Sequence, residues 1–210
     1  MQKALSSLGW FFLFFLAFGV AIFSMRYWSF QPVGFLKMKS PEELTNNMYL
    51  AAFYGHVLFG PVALMTGPIQ FLPKFRARNL AAHRLTGRIY VIACLFSGLA
   101  GLAAAQWTPG GPFTRLGFSL LAIAWLFTTT KAYLTIRKKE VDAHQKWMMR
   151  SYALTLAAVT LRIYLPLLQG PAGLSFIESY QIVGWLCWVP NLLLIEWWIN
   201  LSRKNGRVRV

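Results

Sequence analysis

Six long apolar runs follow one another along the chain, and short polar segments separate them. One helical pass across a bilayer needs about 20 consecutive, mostly apolar residues. The pattern therefore predicts an all-α, polytopic membrane protein, a bundle of about six transmembrane helices. Residues 1–210 form one transmembrane domain with no separate soluble domain, and the predicted spans are residues 8–25, 48–72, 80–106, 115–136, 143–168 and 177–200.

Prolines and a capping sequence mark local features within this pattern. Residues 40–43 (Ser-Pro-Glu-Glu) have the order of a capping box at a helix start, just before span two. Span two contains Gly60-Pro61 and Gly67-Pro68, and span six contains Pro190. Each proline removes a backbone donor and frees a carbonyl one turn earlier, so kinks are expected there.

The composition supports a membrane location and excludes other classes. Only 13% of the residues are charged, whereas soluble domains carry about 25%. The net charge is +15, but the basic residues lie between apolar runs, where topology and anionic lipid account for them. The lipid bilayer is therefore the expected partner, and nucleic acid is not. Cys94 and Cys187 fall inside spans as small apolar fillers, so no disulfide framework is expected.

The distribution of Lys and Arg predicts the orientation. Basic residues concentrate between spans two and three, between spans four and five, and in the C-terminal tail. The connection between spans three and four has only Arg115, and the one between spans five and six has none. The positive-inside rule then places both termini in the cytoplasm, in agreement with an even number of spans. Because no clear cleavage site precedes Arg26, we interpret the first run as a retained span.

The chain has three histidines, and two of them are at nearly the same depth. His83 and His144 lie near the cytoplasmic ends of spans three and five. His56 lies in the outer half of span two, roughly 24 Å from its inner end at about 1.5 Å per residue, which argues against a three-histidine metal site. Two facing histidines can instead hold a haem iron from both sides. His83 and His144 are therefore the candidate ligands of a haem b.

Neighbouring residues fit this hypothesis but have a second interpretation. Gly87 shares the face of His83, with Cys94, Gly98 and Gly101 beyond it, and small residues there would leave room for a macrocycle. Basic residues nearby could pair with the haem propionates: Arg84, Arg88, Lys146 and Arg150. A stripe of small residues is also typical of a helix–helix packing seam, and histidines at a basic edge also suit lipid headgroups or a quinone. These alternatives remain open.

Arg162 is the second informative position, in a largely apolar run in the outer half of span five. A charge within a span is a functional candidate because its burial requires a partner or an aqueous cavity. We expect a ligand pocket formed by His56 and Arg162, with Gln181 or Glu178 as further members. The alternative is that Arg162 extends to the membrane interface.

An ion pair is also expected between Lys131 and Glu196, near the inner ends of spans four and six. The threonines at positions 128–130 are expected to bond to their own helix.

Several motifs occur in an order that resembles a known family. They are His56-x-x-x-Gly60, Gly67-Pro68-Ile69-Gln70-Phe71, His83-Arg84-x-x-Gly87-Arg88-x-Tyr90, Ala143-His144-x-x-Trp147-Met148-x-Arg150-Ser151-Tyr152 and Leu161-Arg162-x-Tyr164. From about Met48 to Leu168 the chain resembles the bacterial membrane family catalogued as domain of unknown function 2306. The resemblance implies a multi-pass protein, here expected in the bacterial inner membrane, and it supplies no activity.

A weaker resemblance is to the six-helix, two-haem transmembrane b-type cytochromes. There the haem ligands come in pairs, from spans two and four and from spans three and five. His83 and His144 match the second pair and His56 matches the span-two ligand, but span four has Phe118 and Ser119 at the expected depth. The resemblance implies one haem b that exchanges electrons with a quinone or another membrane redox partner. The alternative is a cofactor-free scaffold, or a lipid- or small-ligand-binding protein.

Overall fold

The computed structural model of the protein describes residues 7–204, and this part of the chain contains no strand. Its α-helices, joined by short turns and 3₁₀ segments, are α1 (Ser7–Met25), α2 (Pro41–Thr45), α3 (Asn47–Ile69), α4 (Pro73–Arg78), α5 (Leu80–Ala104), α6 (Gly111–Arg137), α7 (Val141–Thr155), α8 (Ala157–Gln169), α9 (Phe176–Leu186) and α10 (Val189–Lys204).

The described residues contain six helical segments that are long and apolar enough to cross a membrane. They are Leu8–Ser29, Asn47–Ile69, Leu80–Trp107, Gly111–Arg137, Val141–Gln169 and Phe176–Ser202. This confirms the predicted all-α, multi-pass fold. Two basic residues of the C-terminal tail that the orientation argument uses, Arg207 and Arg209, lie outside the described residues.

The connection between spans one and two is fixed by the predicted capping box. The side chain of Ser40 accepts from the backbone N–H of Glu43, and the carboxylate of Glu43 accepts from the N–H of Ser40. Lys39 adds an ion pair with Glu43 at 2.6 Å. Burial raises the pKa of Glu43, but the hydrogen bonds from Lys39 and Ser40 outweigh burial and hold the pKa below its ordinary value. The capping prediction is therefore confirmed.

Span five is broken between α7 and α8, at Leu156. No proline or glycine lies at this point. The hydroxyl of Thr155 donates to the carbonyl of Ser151 at 2.9 Å, and that of Thr160 donates to the carbonyl of Leu156 at 3.1 Å. Hydroxyl groups that bond back to their own helix bend it, which gives a physical reason for the break.

Span six is broken between α9 and α10, at Cys187 and Trp188. Pro190 follows directly, and it lacks the N–H that would continue the helical ladder. The side-chain amide of Asn191 donates to the carbonyl of Cys187 at 3.0 Å, and Thr160 donates to the same carbonyl. This backbone acceptor at the break is thereby satisfied by side chains of its own span and of span five, as a bilayer requires.

The Gly67-Pro68 pair of α3 is a docking point for α7. Pro68 cannot donate to the carbonyl of Leu64, and the hydroxyl of Tyr152 donates to that carbonyl at 3.3 Å. A Cβ at Gly67 would overlap the ring of Tyr152. The glycine therefore gives the ring its space, and the proline frees the acceptor that the tyrosine binds.

Gly67→Ala is expected to destabilise the protein by about 1–3 kcal/mol, because the added methyl group forces the ring of Tyr152 out of its site. The free energy of unfolding in mixed SDS and dodecylmaltoside micelles would measure this loss. Gly19→Ala is the matched control, because nothing lies within 4 Å of a Cβ at Gly19. Equal stability of the two variants would show that the Gly67–Tyr152 contact does not constrain the bundle.

Candidate functional site

The two predicted haem ligands lie at the same end of the bundle. His83 is in the first turn of α5 and His144 is in the first turn of α7. Both side chains are half-buried. The structure therefore places the two histidines at the same end of neighbouring spans.

The imidazole of His144 is anchored to α6. Its Nδ1 lies 2.8 Å from the carbonyl oxygen of Ala132. Because a carbonyl oxygen only accepts, Nδ1 carries the proton. In the neutral ring the lone pair then lies on Nε2, the atom that a metal would bind.

The imidazole of His83 contacts Gln70, from the end of α3. The amide of Gln70 lies 3.2 Å from Nδ1 of His83 and 2.8 Å from Oγ1 of Thr86. The orientation that satisfies all of its neighbours places the amide nitrogen toward His83, where it donates to Nδ1 and to the His83 carbonyl, while the amide oxygen accepts from the N–H of Gly87 and from Thr86. Nδ1 of His83 is then an acceptor, so in the neutral ring Nε2 carries the proton.

The stripe of small residues on α5 contacts side chains of neighbouring helices. A Cβ at Gly87 would lie 3.1 Å from Oε1 of Gln70, and one at Gly101 would lie 2.8 Å from Nδ1 of His56. A Cβ at Gly98 would lie 2.8 Å from the side chain of Leu126. These contacts are those of a packing seam with α3 and α6, which is the second interpretation that the sequence allowed.

The predicted arginines differ in their environment. Arg84 and Arg88 are exposed beside His83, whereas Arg150 binds the carboxylate of Glu196 through both Nε and Nη2. The expected ion pair between Lys131 and Glu196 is therefore wrong. Lys131 instead lies over the ring of Phe127, 5.6 Å from its centroid. The two-point edge of a guanidinium binds a carboxylate better than an ammonium group does, which favours Arg150 as the partner.

A buried polar network lies deeper between the same helices, and the sequence reasoning missed it. The hydroxyl of Tyr90 lies 2.8 Å from Oγ of Ser151 and 3.0 Å from Oγ1 of Thr155. Oγ1 of Thr129 lies 2.7 Å from Oγ of Ser151, and Nε1 of Trp125 donates to Thr155 at 2.9 Å. These five buried side chains join α5, α6 and α7.

Heptad spacing is the signal that could have found this network. Tyr90 follows His83 by seven residues, and Ser151 follows His144 by seven. Residues seven apart share a helix face, about two turns from one another. Of the threonines at positions 128–130, Thr128 bonds to its own helix as expected, whereas Thr129 bonds across to α7.

At the other level of the bundle, His56 is held by α5. Its Nδ1 lies 3.0 Å from the carbonyl oxygen of Ser97, and the hydroxyl of Ser97 donates to the carbonyl of His56 at 3.0 Å. His56 nevertheless keeps accessible surface in the structure. Nε2 of His56 has no hydrogen-bond partner among the described residues.

Arg162 points into the span and not to its nearer end. Nη1 donates to the carbonyl of Ala158, one turn deeper, at 2.8 Å, and Nη2 lies 3.4 Å from Oγ of Ser24 on α1. Its Nε is buried and has no hydrogen-bond partner in the described part of the chain. Arg162 and His56 interact electrostatically. This geometry does not have the outward direction that extension to the interface requires.

The two further members expected for this pocket have other partners. Gln181 donates to the carbonyl of Gly110 at 2.8 Å, and exposed Glu178 forms a capping box with Ser175. Tyr180 takes part instead: it interacts electrostatically with Arg162, and no hydrogen bond of its hydroxyl is found among residues 7–204.

The comparison with protein families concerns most of this bundle. Residues 53–199 match the family model described as "Predicted membrane protein (DUF2306)". The chain belongs to the DUF2306 family. The matched residues include both histidine levels of this DUF2306 protein, and the resemblance seen in its motifs is confirmed. No curated protein and no solved structure matches the chain.

Tyr90→Phe is expected to lower the free energy of unfolding by about 0.6–1.7 kcal/mol, because Ser151 and Thr155 lose a shared partner within the membrane. Unfolding in mixed micelles measures the change. The control is Tyr133→Phe, whose hydroxyl accepts only an exposed bond from Arg137. If the two variants lose the same free energy, the buried network contributes nothing beyond a surface bond.

Proposed function

We propose that this DUF2306 protein is a b-type haem electron-transfer protein, with the haem iron bound by His83 and His144. The observation that supports the proposal is the anchoring of His144, whose Nδ1 donates to the carbonyl of Ala132 and leaves Nε2 for a metal. Metal-ligating histidines are held in this way, because a bond at one nitrogen fixes the ring and the tautomer for the other. At His83 the amide of Gln70 donates to Nδ1, so ligation through Nε2 requires this amide to turn its oxygen toward the ring.

The basic residues at this end divide into two groups. Arg84 and Arg88 are exposed and suited to the two propionates. Arg150 already binds Glu196, so its role in the proposal is to join α7 to α10. A haem held between two imidazoles supplies one-electron transfer, and the protein tunes it through ligand orientation and nearby charge. The proposed partners are a membrane quinone and a second redox protein.

The hydrogen-bond network around Tyr90 would hold the two ligand-bearing helices together, deeper in the bundle than the histidines. It lies about 10 Å deeper than the histidines, since seven helical residues rise by about 1.5 Å each. By joining α5 to α7 directly, it fixes the separation of the two helices that carry the ligands. A rigid pair of ligands keeps the geometry the same in both oxidation states, which favours fast electron transfer.

A second candidate function is a cofactor-free scaffold or small-ligand-binding protein. The observation that favours it is the filled stripe on α5, where Gln70 lies against Gly87 and His56 lies against Gly101. In this alternative Gln70, His83 and His144 form a polar pocket at the basic edge, and no macrocycle lies between the helices.

The haem proposal predicts a Soret band and a reduced-minus-oxidised α-band change in protein purified from cells supplied with haem. His83→Ala and His144→Ala should each abolish both signals, because each removes one of two axial ligands. His56→Ala is the matched control and should leave the spectrum unchanged. A wild-type protein that folds but shows neither band would contradict the haem proposal and leave the cofactor-free function.

We also propose that the protein lies in the bacterial inner membrane with both termini in the cytoplasm. The basic residues at positions 74–88 and 137–146 support this orientation, since positive charge concentrates on the cytoplasmic side.

Single cysteines test the orientation in intact cells with a membrane-impermeant maleimide. Ala172→Cys, in the connection between α8 and α9, should be labelled without permeabilisation. Lys138→Cys, between α6 and α7, should be labelled only after permeabilisation. The wild-type chain is a suitable background because Cys94 and Cys187 are both buried. The reverse pattern of labelling would contradict the proposed topology.

A further inference from the structure

Arg150 and Arg162 both lie in span five, but the Nε and Nη2 atoms of the two guanidinium groups have different partners. Nε and Nη2 of Arg150 together hold the carboxylate of Glu196. The same two nitrogens of Arg162 face no carboxylate: Nε has no partner in the part of the chain that the structure describes, and Nη2 has only the 3.4 Å contact with Ser24. The edge that is paired in Arg150 is therefore unpaired in Arg162, within the described residues.

No aspartate or glutamate side chain of the protein pairs with Arg162 in the part of the chain that the structure describes. All six acidic residues of the protein lie in this part. Three of them are already engaged: Glu43 with Lys39, Glu178 with Ser175 and Glu196 with Arg150. The other three are Glu42, Glu140 and Asp142, which lie in or beside the connections between spans. A guanidinium within the bilayer without a counter-charge is costly, so its partner has to come from outside the chain.

Other unpaired polar groups surround the same place. His56 and Tyr180 both interact electrostatically with Arg162, and neither Nε2 of His56 nor the hydroxyl of Tyr180 is hydrogen-bonded within residues 7–204. His56 keeps accessible surface. The three groups come from α3, α8 and α9, so the candidate site lies between helices and is not a feature of one helix.

We propose that this outer site binds an oxyanion, a carboxylate or phosphate group, against the Nε and Nη2 edge of Arg162. The hydroxyl of Tyr180 donates to the same anion, and His56 contacts it through Nε2. Because Nε is buried in the ligand-free arrangement, binding requires the guanidinium to shift and expose this edge. The inference is independent of the proposed haem, which lies at the opposite end of the bundle.

The first test is the unfolding temperature of the protein in phosphatidylcholine nanodiscs with sodium benzoate or sodium phosphate, against sodium chloride at equal ionic strength. At about ten times the Kd, a specific oxyanion should raise Tm by about 3 °C. Arg162→Gln should remove this rise. Arg115→Gln, which changes an exposed arginine outside the site, should keep it. An equal rise in wild type and Arg162→Gln would overturn the proposal.

A second variant supplies the missing charge from within the chain. Ser24→Asp places a carboxylate next to Nη2 of Arg162, since Oγ of Ser24 lies 3.4 Å from that atom. The variant should have a higher Tm than wild type without ligand and should no longer respond to benzoate or phosphate. A destabilised variant that still responds as wild type does would contradict the proposed site.

The same experiment with a different lipid distinguishes two sources of the anion, a lipid headgroup and the aqueous phase. Nanodiscs that contain phosphatidylglycerol should raise Tm in wild type and not in Arg162→Gln if the anion is a lipid headgroup. If benzoate or phosphate acts and phosphatidylglycerol does not, the anion comes from the aqueous phase. If benzoate, phosphate and phosphatidylglycerol each change the Tm of wild type and of Arg162→Gln equally, Arg162 binds no oxyanion and the inference fails.

Discussion

The hydroxyl of Tyr90 is the contact on which the rest of the bundle depends. Lipid tails are as apolar as leucine side chains, so burial of apolar surface gives little drive for helices to associate within a bilayer. Close packing and interhelical hydrogen bonds have to do so instead. Tyr90 is fully buried and bonds to both Ser151 and Thr155, and Thr129 and Trp125 extend these bonds to α6. Three spans are thereby fixed in register at the level between the two histidine sites.

The two sites differ in charge balance as well as in depth. At the level of His83 and His144, each imidazole has a protein partner, and the basic residues face the edge of the membrane. At the level of His56 and Arg162, a guanidinium lies inside the bundle and no acidic side chain neutralises it. The inner level thus has hydrogen-bonded imidazoles, and the outer level has an unpaired guanidinium nitrogen.

The sequence predicted the spans well because apolar length is a property of each segment by itself. It also located the Gly-Pro pair that receives Tyr152, although not the partner. It failed where two segments meet: Glu196 was assigned to Lys131 from depth alone, and depth does not say which neighbour a side chain faces. The break at Leu156 could not be predicted, because no proline or glycine lies there. It depends on hydroxyl bonds from Thr155 and Thr160 to their own helix, and such bonds also occur in helices that do not bend.

The breaks in spans five and six have a mechanical consequence. They lie side by side, tied by Thr160 and Asn191, so two adjacent spans lose their continuous backbone ladder at one level. On one side, α8 packs against α9; on the other, α7 packs against α10. The two breaks therefore divide spans five and six into two blocks, one that carries Arg162 and Tyr180 and one that carries His144 and Glu196. A bend at this joint would change the angle between the two blocks, with Thr160 and Asn191 as the ties across it.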